Sequence, residues 1–146
     1  MNNQEYSKLA EKKSPSSSLF KDCVWAFIVG GIICTIGQAF FNWYKSMGMS
    51  IEAASSAVSI TLVLISAVLT GFGVYDSLAK YAGAGTIVPI TGFANSVVSP
   101  AIEAKTEGYI LGVGAKIFTI AGPVIVFGTV SSVIAGIVYW IMALIK

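Results

Sequence analysis

Short charged segments separate four long stretches of the chain that contain no charged residue. These stretches are 23–44, 53–75, 81–102 and 117–145. Because a helix needs about 20 mostly apolar residues to cross the hydrocarbon core of a bilayer, each is long enough to be a membrane span. We expect an all-α integral membrane protein with about four spans, in which residues 22–146 form a single polytopic transmembrane domain.

The first two stretches predict regular spanning helices. Trp25 lies near the start of 23–44, and Trp43 and Tyr44 lie at its end, as expected for aromatic side chains at the membrane interface. The preceding residues, 1–21, form a polar tail. Since this tail is long and no small-residue cleavage site follows the apolar stretch, we interpret the stretch as a mature helix rather than a signal peptide.

The third stretch, 81–102, has a composition unlike that of a regular span. It contains three glycines, several hydroxyl side chains, Asn95, Pro89 and Pro100. Each proline removes a backbone donor, and irregular backbone at membrane depth occurs only where protein or water covers it. The stretch is therefore either a broken helix shielded by its neighbours or a re-entrant loop.

The fourth apolar region is too long for a single span. From 109 to 145 its only charge is Lys116, and one helix of that length would measure roughly 55 Å, almost twice the thickness of a bilayer core. The pair Gly122-Pro123 predicts a break or kink, which would divide the region into a short segment, 109–121, and a span, 124–145.

Two short apolar segments, 86–99 and 109–121, thus flank a charged cluster of Glu103, Lys105 and Glu107. Paired short segments are the best pointer in a sequence to a membrane transport site, because half-helix ends present backbone groups to a solute. The alternative is a tilted third helix followed by a long kinked fourth helix, and the residues alone leave both open.

The lysines predict the orientation. With four spans and a cytoplasmic N-terminus, six lysines lie inside: Lys8, Lys12, Lys13, Lys21, Lys80 and Lys146. Lys45 and Lys105 then lie outside, which agrees with the excess of positive charge on the cytoplasmic side of membrane proteins.

A stripe of small residues, Gly128, Ser132 and Gly136, follows the last span at four-residue spacing, and Gly30 begins a weaker stripe on the first span. Small residues at this spacing let another helix backbone approach closely. The stripes fit helix packing within one chain and equally an interface between subunits.

Polar residues near or within the bilayer are costly, so they are functional candidates. Our candidates for a solute path are Gln38, Asp76, Asn95, Glu103 and Lys116. Lys116 stands out because apolar sequence flanks it on both sides. It would attract an anion, pair with a carboxylate such as Glu103 or Asp76, or extend its ammonium group to the interface.

Composition narrows the class of function. Only 11% of residues are charged, against about 25% in soluble domains. No histidine or arginine is present, and the net charge of +2 is too small to indicate nucleic acid binding. We expect no catalytic residues, metal site or cofactor, and we expect Cys23 and Cys34 to be small buried hydrophobic residues rather than a disulfide or metal pair.

Several long strings of the sequence resemble the SpoVAC/SpoVAEB sporulation membrane proteins. They are Trp25–Gln38 (WAFIVGGIICTIGQ), Leu69–Asp76 (LTGFGVYD) and Ala82–Ser96 (AGAGTIVPITGFANS), with Gly108–Val113 and Val126–Gly128 continuing the likeness. The polar extension before the first span resembles the AC type of member, because the AEB type begins almost at that span.

The resemblance implies a membrane channel or transport subunit of the SpoVA complex in the spore inner membrane. That complex moves dipicolinic acid, with calcium, into the developing spore and out again at germination, and gating by membrane tension has been proposed for the AC type. The implied partners are other SpoVA membrane subunits, including an AEB-type paralogue. A non-conducting scaffold subunit is the alternative. If the protein is a channel or transport subunit, a half-helix N-terminus near Thr86 or Tyr109, with Lys116 close by, would bind a carboxylate of the solute.

Overall fold

The computed structural model describes residues 18–145, so most of the polar tail predicted at 1–21 lies outside the described residues. Within 18–145 every regular element is a helix, which confirms the all-α class. Six α-helices follow one another: α1 (Leu19–Ser46), α2 (Ile51–Gly71), α3 (Val74–Ala82), α4 (Ala84–Ile87), α5 (Ile90–Glu103) and α6 (Phe118–Leu144). A 3₁₀ turn, Ala104–Glu107, and a π-helical segment, Tyr109–Gly114, connect α5 to α6.

Helices α1 and α2 form an antiparallel hairpin. At 1.5 Å per residue they are about 42 and 32 Å long, enough to cross a bilayer core of about 30 Å. Their connection turns at Gly48, which has a φ of +86°, and the Ser50 side chain caps α2 by accepting a hydrogen bond from the Ala53 N–H at 3.2 Å. A hydrogen bond of 2.7 Å between the hydroxyls of Tyr44 and Thr61 joins the two helices.

Two hydrogen bonds show the direction of α5 relative to α2. Ser66 Oγ donates to the Thr91 carbonyl at 2.6 Å, and one turn later Thr70 Oγ1 donates to Asn95 Oδ1 at 2.8 Å. Because the partners advance together by four residues on both helices, α5 runs in the same direction as α2. The chain between them, α3 and α4, therefore returns along α1 and reverses at Pro89.

The return path depends on a close approach between α4 and α1. A Cβ atom added at Gly85 would lie 2.8 Å from the Cα of Ala26, and one added at Gly30 would lie 3.4 Å from the Cα of Gly85. These contacts are between backbones, which cannot move aside as the end of a flexible side chain can. Only glycine at position 85 lets α4 pack on α1 at this distance.

The third stretch is interrupted at Gly83 and again at Pro89. Gly83 has a φ of +47° and separates α3 from α4, while Pro89 is the N-cap residue of α5. Pro100 behaves differently from our expectation of a break, since it lies inside α5. Its missing N–H removes one hydrogen bond near the C-terminal end of the helix and leaves the helix continuous.

A break that ends the helix at Gly122-Pro123 is wrong, whereas the kink predicted there stays a prediction. Helix α6 continues through Pro123, and the helix type changes earlier, between Gly114 and Phe118. Pro123 lies in the second turn of α6, where its missing N–H removes the bond to the Thr119 carbonyl and its ring crowds that carbonyl, which favours a bend, while its fixed φ is compatible with a helix that continues. The segment that we expected to end at Ala121 is divided instead by this change of helix type.

Three helical segments within 18–145 are long and apolar enough to cross a membrane: Leu19–Ser46, Ile51–Gly71 and Tyr109–Leu144. Helix α5 is only about 21 Å long, which is short for a span. Every residue from Pro123 to Ile145 is exposed, so most of α6 extends beyond the rest of the chain and offers its apolar surface to lipid or to another protein.

Candidate solute site between α5 and α6

An open pocket of about 270 Å³ lies where α5 ends and α6 begins. Its lining residues come from the last turn of α5, the 3₁₀ turn, the short link before α6 and the first turn of α6: Pro100, Glu103, Ala104, Glu107, Lys116, Thr119 and Ile120. Three of the seven carry a charge, and Thr119 adds a hydroxyl group. This pocket brings charged groups of both signs together around a space that can hold a small solute, and a second pocket beside α1 does so with Asp22 and Lys80.

Two glycines bring the start of α6 against the end of α5. Gly108 has a φ of +95°, a backbone conformation that L-residues rarely adopt, and it reverses the chain after the 3₁₀ turn. Gly112 is buried, and a Cβ added there would collide with the backbone carbonyl of Ala104 and lie 2.9 Å from the Cβ of Glu107. The π-helical segment can therefore fold back onto the 3₁₀ turn, which places Lys116 beside the two glutamates.

The charged side chains of the pocket form no salt bridge with one another. Within 18–145 the one salt bridge joins Lys80 Nζ to Asp76 Oδ2 at 3.6 Å, so no carboxylate oxygen lies within 4.0 Å of the Lys116 ammonium group. The Thr119 hydroxyl donates instead to the Lys116 carbonyl. Glu103, Glu107 and Lys116 are exposed, so their charged ends are available to a bound molecule.

The described residues contain no group of three or more side chains that would hold a metal ion alone. Glu103 and Glu107 are two carboxylates on one wall of the pocket, and a calcium ion takes six to eight oxygen ligands. The pocket can thus contribute part of a calcium coordination shell only if the solute or water supplies the remainder.

A second polar cluster, buried between α2, α3 and α5, holds the helices together. Tyr75, which is 3% exposed, donates its hydroxyl to the Thr86 carbonyl at 2.8 Å and lies 3.0 Å from the Thr91 hydroxyl. Ser66 on α2 bonds the Thr91 carbonyl. No buried side-chain oxygen or nitrogen within 18–145 lacks a hydrogen-bond partner.

Sequence reasoning missed this cluster, although a signal existed. Ser66 and Thr70 are four residues apart, and Thr91 and Asn95 repeat that spacing in the third stretch. Two pairs of hydroxyl or amide side chains with equal spacing can form hydrogen bonds across two neighbouring helices at the same time, because residues four apart lie on one face of a helix. Asn95, one of our candidates for the solute path, accepts a hydrogen bond from Thr70.

The five candidate path residues do not converge on one site. Glu103 and Lys116 line the pocket together, whereas Asp76 pairs with Lys80 on the surface of α3 and Asn95 belongs to the α2–α5 contact. Gln38 lies on the exposed side of α1. Of the half-helix ends expected to receive a carboxylate, the one near Thr86 is unsuitable, since Thr86 is 1% exposed and bonds within its own turn.

The candidate packing residues do not share one kind of contact. Gly30 contacts Gly85 within the chain, whereas nothing lies within 4 Å of a Cβ added at Gly128 or Gly136. The small-residue stripe of α6 therefore packs against no other described part of this chain. Cys23 and Cys34 are free but exposed, so the expectation that they are buried is wrong, because they line open grooves between α1 and the α3–α4 part of the chain.

Comparison with known proteins identifies the family to which the chain belongs. The model for SpoVAC/SpoVAEB sporulation membrane proteins matches residues 22–138. The chain belongs to the SpoVAC/SpoVAEB family. Over 136 residues, 92% of this chain and 91% of its relative, it is 46% identical to stage V sporulation protein AC of Bacillus subtilis (strain 168). No solved structure matches it.

Membership of the SpoVAC/SpoVAEB family confirms the resemblance inferred from the sequence strings, including the likeness to the AC type. The chain is a sporulation membrane protein, and the family is not an enzyme family. The match from 22 to 138 includes all the residues that line the pocket.

Proposed function

We propose that this protein is a channel or transport subunit of the SpoVA complex, and that it moves dipicolinic acid together with calcium across the spore inner membrane. The observation that carries the proposal is the mixed-charge pocket between α5 and α6, with Glu103, Glu107 and Lys116 around about 270 Å³. Family membership supports the setting in sporulation, and the solute is our inference. Its partners are then other SpoVA membrane subunits, including an AEB-type paralogue.

The chemistry of the solute suits the charges of the pocket. Dipicolinate carries two carboxylates, and a calcium ion prefers oxygen ligands. Lys116 attracts a carboxylate as a compact positive charge, while Glu103 and Glu107 attract the calcium ion. A site with both signs of charge binds the ion and its counter-ion together, and it avoids leaving either charge uncompensated near the membrane.

We also propose that the region from α4 to α5 is re-entrant, entering and leaving the bilayer on the side of the α1 N-terminus. The parallel course of α2 and α5, set by Ser66–Thr91 and Thr70–Asn95, supports this topology. The lysines support it too. Among the described lysines, Lys21, Lys80, Lys105 and Lys116 would share the N-terminal side, and Lys45 would lie opposite, so the N-terminal side would be cytoplasmic.

A flux measurement tests the role of the pocket. Proteoliposomes containing the complete complex would be loaded with labelled dipicolinate and calcium, and Lys116→Gln would be compared with Lys105→Gln. Lys105 has the same charge and lies in the neighbouring 3₁₀ turn, but it does not line the pocket. We expect Lys116→Gln to lower flux about fivefold, equivalent to about 1 kcal/mol for an exposed ion pair, and Lys105→Gln to leave it unchanged.

Equal flux through both variants would contradict the role of Lys116. Glu103→Gln provides the complementary test, because loss of the carboxylate should lower flux in calcium and have a smaller effect without it. An effect of Glu103→Gln that is the same with and without calcium would contradict the assignment of that wall to the cation.

A non-conducting scaffold is the second candidate, and the exposed length of α6 favours it. From Pro123 onward every described residue of the helix is exposed, as expected of a helix that joins another subunit. Under this alternative, Lys116→Ala and Asn95→Ala reduce recovery of the assembled complex as much as they reduce flux. Under the channel proposal, Lys116→Ala lowers flux while the complex is recovered intact.

A further inference from the structure

Helix α1 carries a polar stripe on a face that the rest of the chain leaves exposed, with its Gly31 end at the edge of the groove between α1 and α4. The stripe consists of Gly31, Thr35, Gln38 and Asn42, spaced at four, three and four residues, so that they follow one face of the helix. All four are exposed. The opposite face of α1 packs inside the molecule, where Val29 and Gly37 are buried.

The three polar members of this stripe lie at a depth where lipid tails cannot form hydrogen bonds with them. The charged residues that flank the span are Asp22 and Lys45, and the midpoint between them falls near Ile33 and Cys34. At 1.5 Å per residue, Thr35 is about 2 Å from that midpoint, Gln38 about 7 Å and Asn42 about 13 Å, all inside the roughly 15 Å half-thickness of the hydrocarbon core.

The carboxamides are only partly satisfied by the chain itself. Gln38 Nε2 donates to Asn42 Oδ1 at 3.0 Å, and the Thr35 hydroxyl donates to the Gly31 carbonyl at 2.8 Å. A carboxamide offers two N–H donors and an oxygen with two lone pairs. The Gln38 oxygen and the Asn42 amide hydrogens therefore remain for a partner outside the described chain, and lipid tails offer none.

We propose that this stripe is an interface with a second copy of the same chain, in which the α1 helices of two copies pack side by side about a twofold axis. A twofold interface brings the same patch of both copies together, and a carboxamide pair both donates and accepts, so two identical stripes satisfy each other. Gly31 and Thr35 are small enough for the two backbones to approach closely. The interface does not depend on which solute the complex moves.

Disulfide cross-linking in membranes tests the interface on the full chain. Cys23 and Cys34 would be changed to serine, and single cysteines would be introduced by Thr35→Cys, in the stripe, or by Ile60→Cys. Ile60 is the matched control, because it lies near the middle of α2 and is 69% exposed. We expect oxidation to give a dimer band at least fivefold stronger for Thr35→Cys.

A second variant tests whether the carboxamide hydrogen bonds, rather than the proximity of the two helices alone, stabilise the dimer. In the Thr35→Cys background, Gln38→Leu combined with Asn42→Leu removes the carboxamides while keeping the helix apolar. Because an interhelical hydrogen bond in a membrane changes association about threefold, the dimer band should fall by at least that factor, with the monomer still eluting as a folded species. Equal cross-linking at Thr35 and Ile60, or a dimer band unaffected by the leucine variants, would overturn the proposal.

Discussion

Replacing Gly85 by alanine should separate α4 from α1. An added Cβ would lie 2.8 Å from the Cα of Ala26 and 2.9 Å from its carbonyl carbon, with the carbonyl oxygen closer still. Since ordinary van der Waals contact begins at 3.4 Å, the two backbones must move apart by at least about 0.6 Å. Overpacking of this kind costs about 1–3 kcal/mol, because no flexible side chain can absorb the displacement.

The matched control is Gly71→Ala at the end of α2. Nothing lies within 4 Å of a Cβ added there, and alanine favours a helix over glycine by about 1 kcal/mol. The midpoint of thermal unfolding of the detergent-solubilised chain, followed by circular dichroism, gives the comparison. We expect Gly85→Ala to unfold several degrees below the unmodified chain and Gly71→Ala to unfold at or above it. An unfolding midpoint for Gly85→Ala equal to that of Gly71→Ala would refute the close approach of α4 to α1.

Two further substitutions test the polar contacts. Tyr75→Phe removes the hydroxyl that donates to the Thr86 carbonyl and should lower the free energy of unfolding by about 1–2 kcal/mol. The control Tyr81→Phe, at a position 74% exposed, should change it little. Equal unfolding midpoints for the two variants would contradict a stabilising role of the polar cluster around Tyr75. Asp76→Asn breaks the exposed pair with Lys80, so we expect less than about 1 kcal/mol by the same measurement, and a larger loss would show that Asp76 has a role beyond this pair.

The sequence predicted the helices better than their arrangement. The lengths of 23–44 and 53–75 were sufficient to place α1 and α2, since hydropathy reports directly on burial in lipid. Pro89 correctly indicated an interruption, because proline has no N–H to continue the hydrogen bonds of a preceding helix. Pro100 and Pro123 show that a proline does not always end a helix, since each lies near one end of a helix that continues past it.

The candidate site was predicted in part. A pair with Glu103 was one of the alternatives for Lys116, and the two residues line one pocket without a salt bridge, but Gln38 and Asp76 were grouped with them only because they are polar. Hydropathy gives the depth of a residue and not the side of the helix on which it lies. The direction of α5 could not be predicted, because the equal spacing of Ser66–Thr70 and Thr91–Asn95 fits a parallel and an antiparallel pairing of the two helices alike.

Labelling from each side of the membrane tests the central claim most directly, namely that the region from α4 to α5 returns to the side of the α1 N-terminus and opens its charged pocket there. On a background without cysteine, Glu103→Cys would be compared with Lys21→Cys at the start of α1 and Met49→Cys in the α1–α2 turn. A membrane-impermeant thiol reagent should reach positions 103 and 21 from the same side and position 49 from the other. Labelling of position 103 together with position 49 would make the third stretch a complete span and contradict the account.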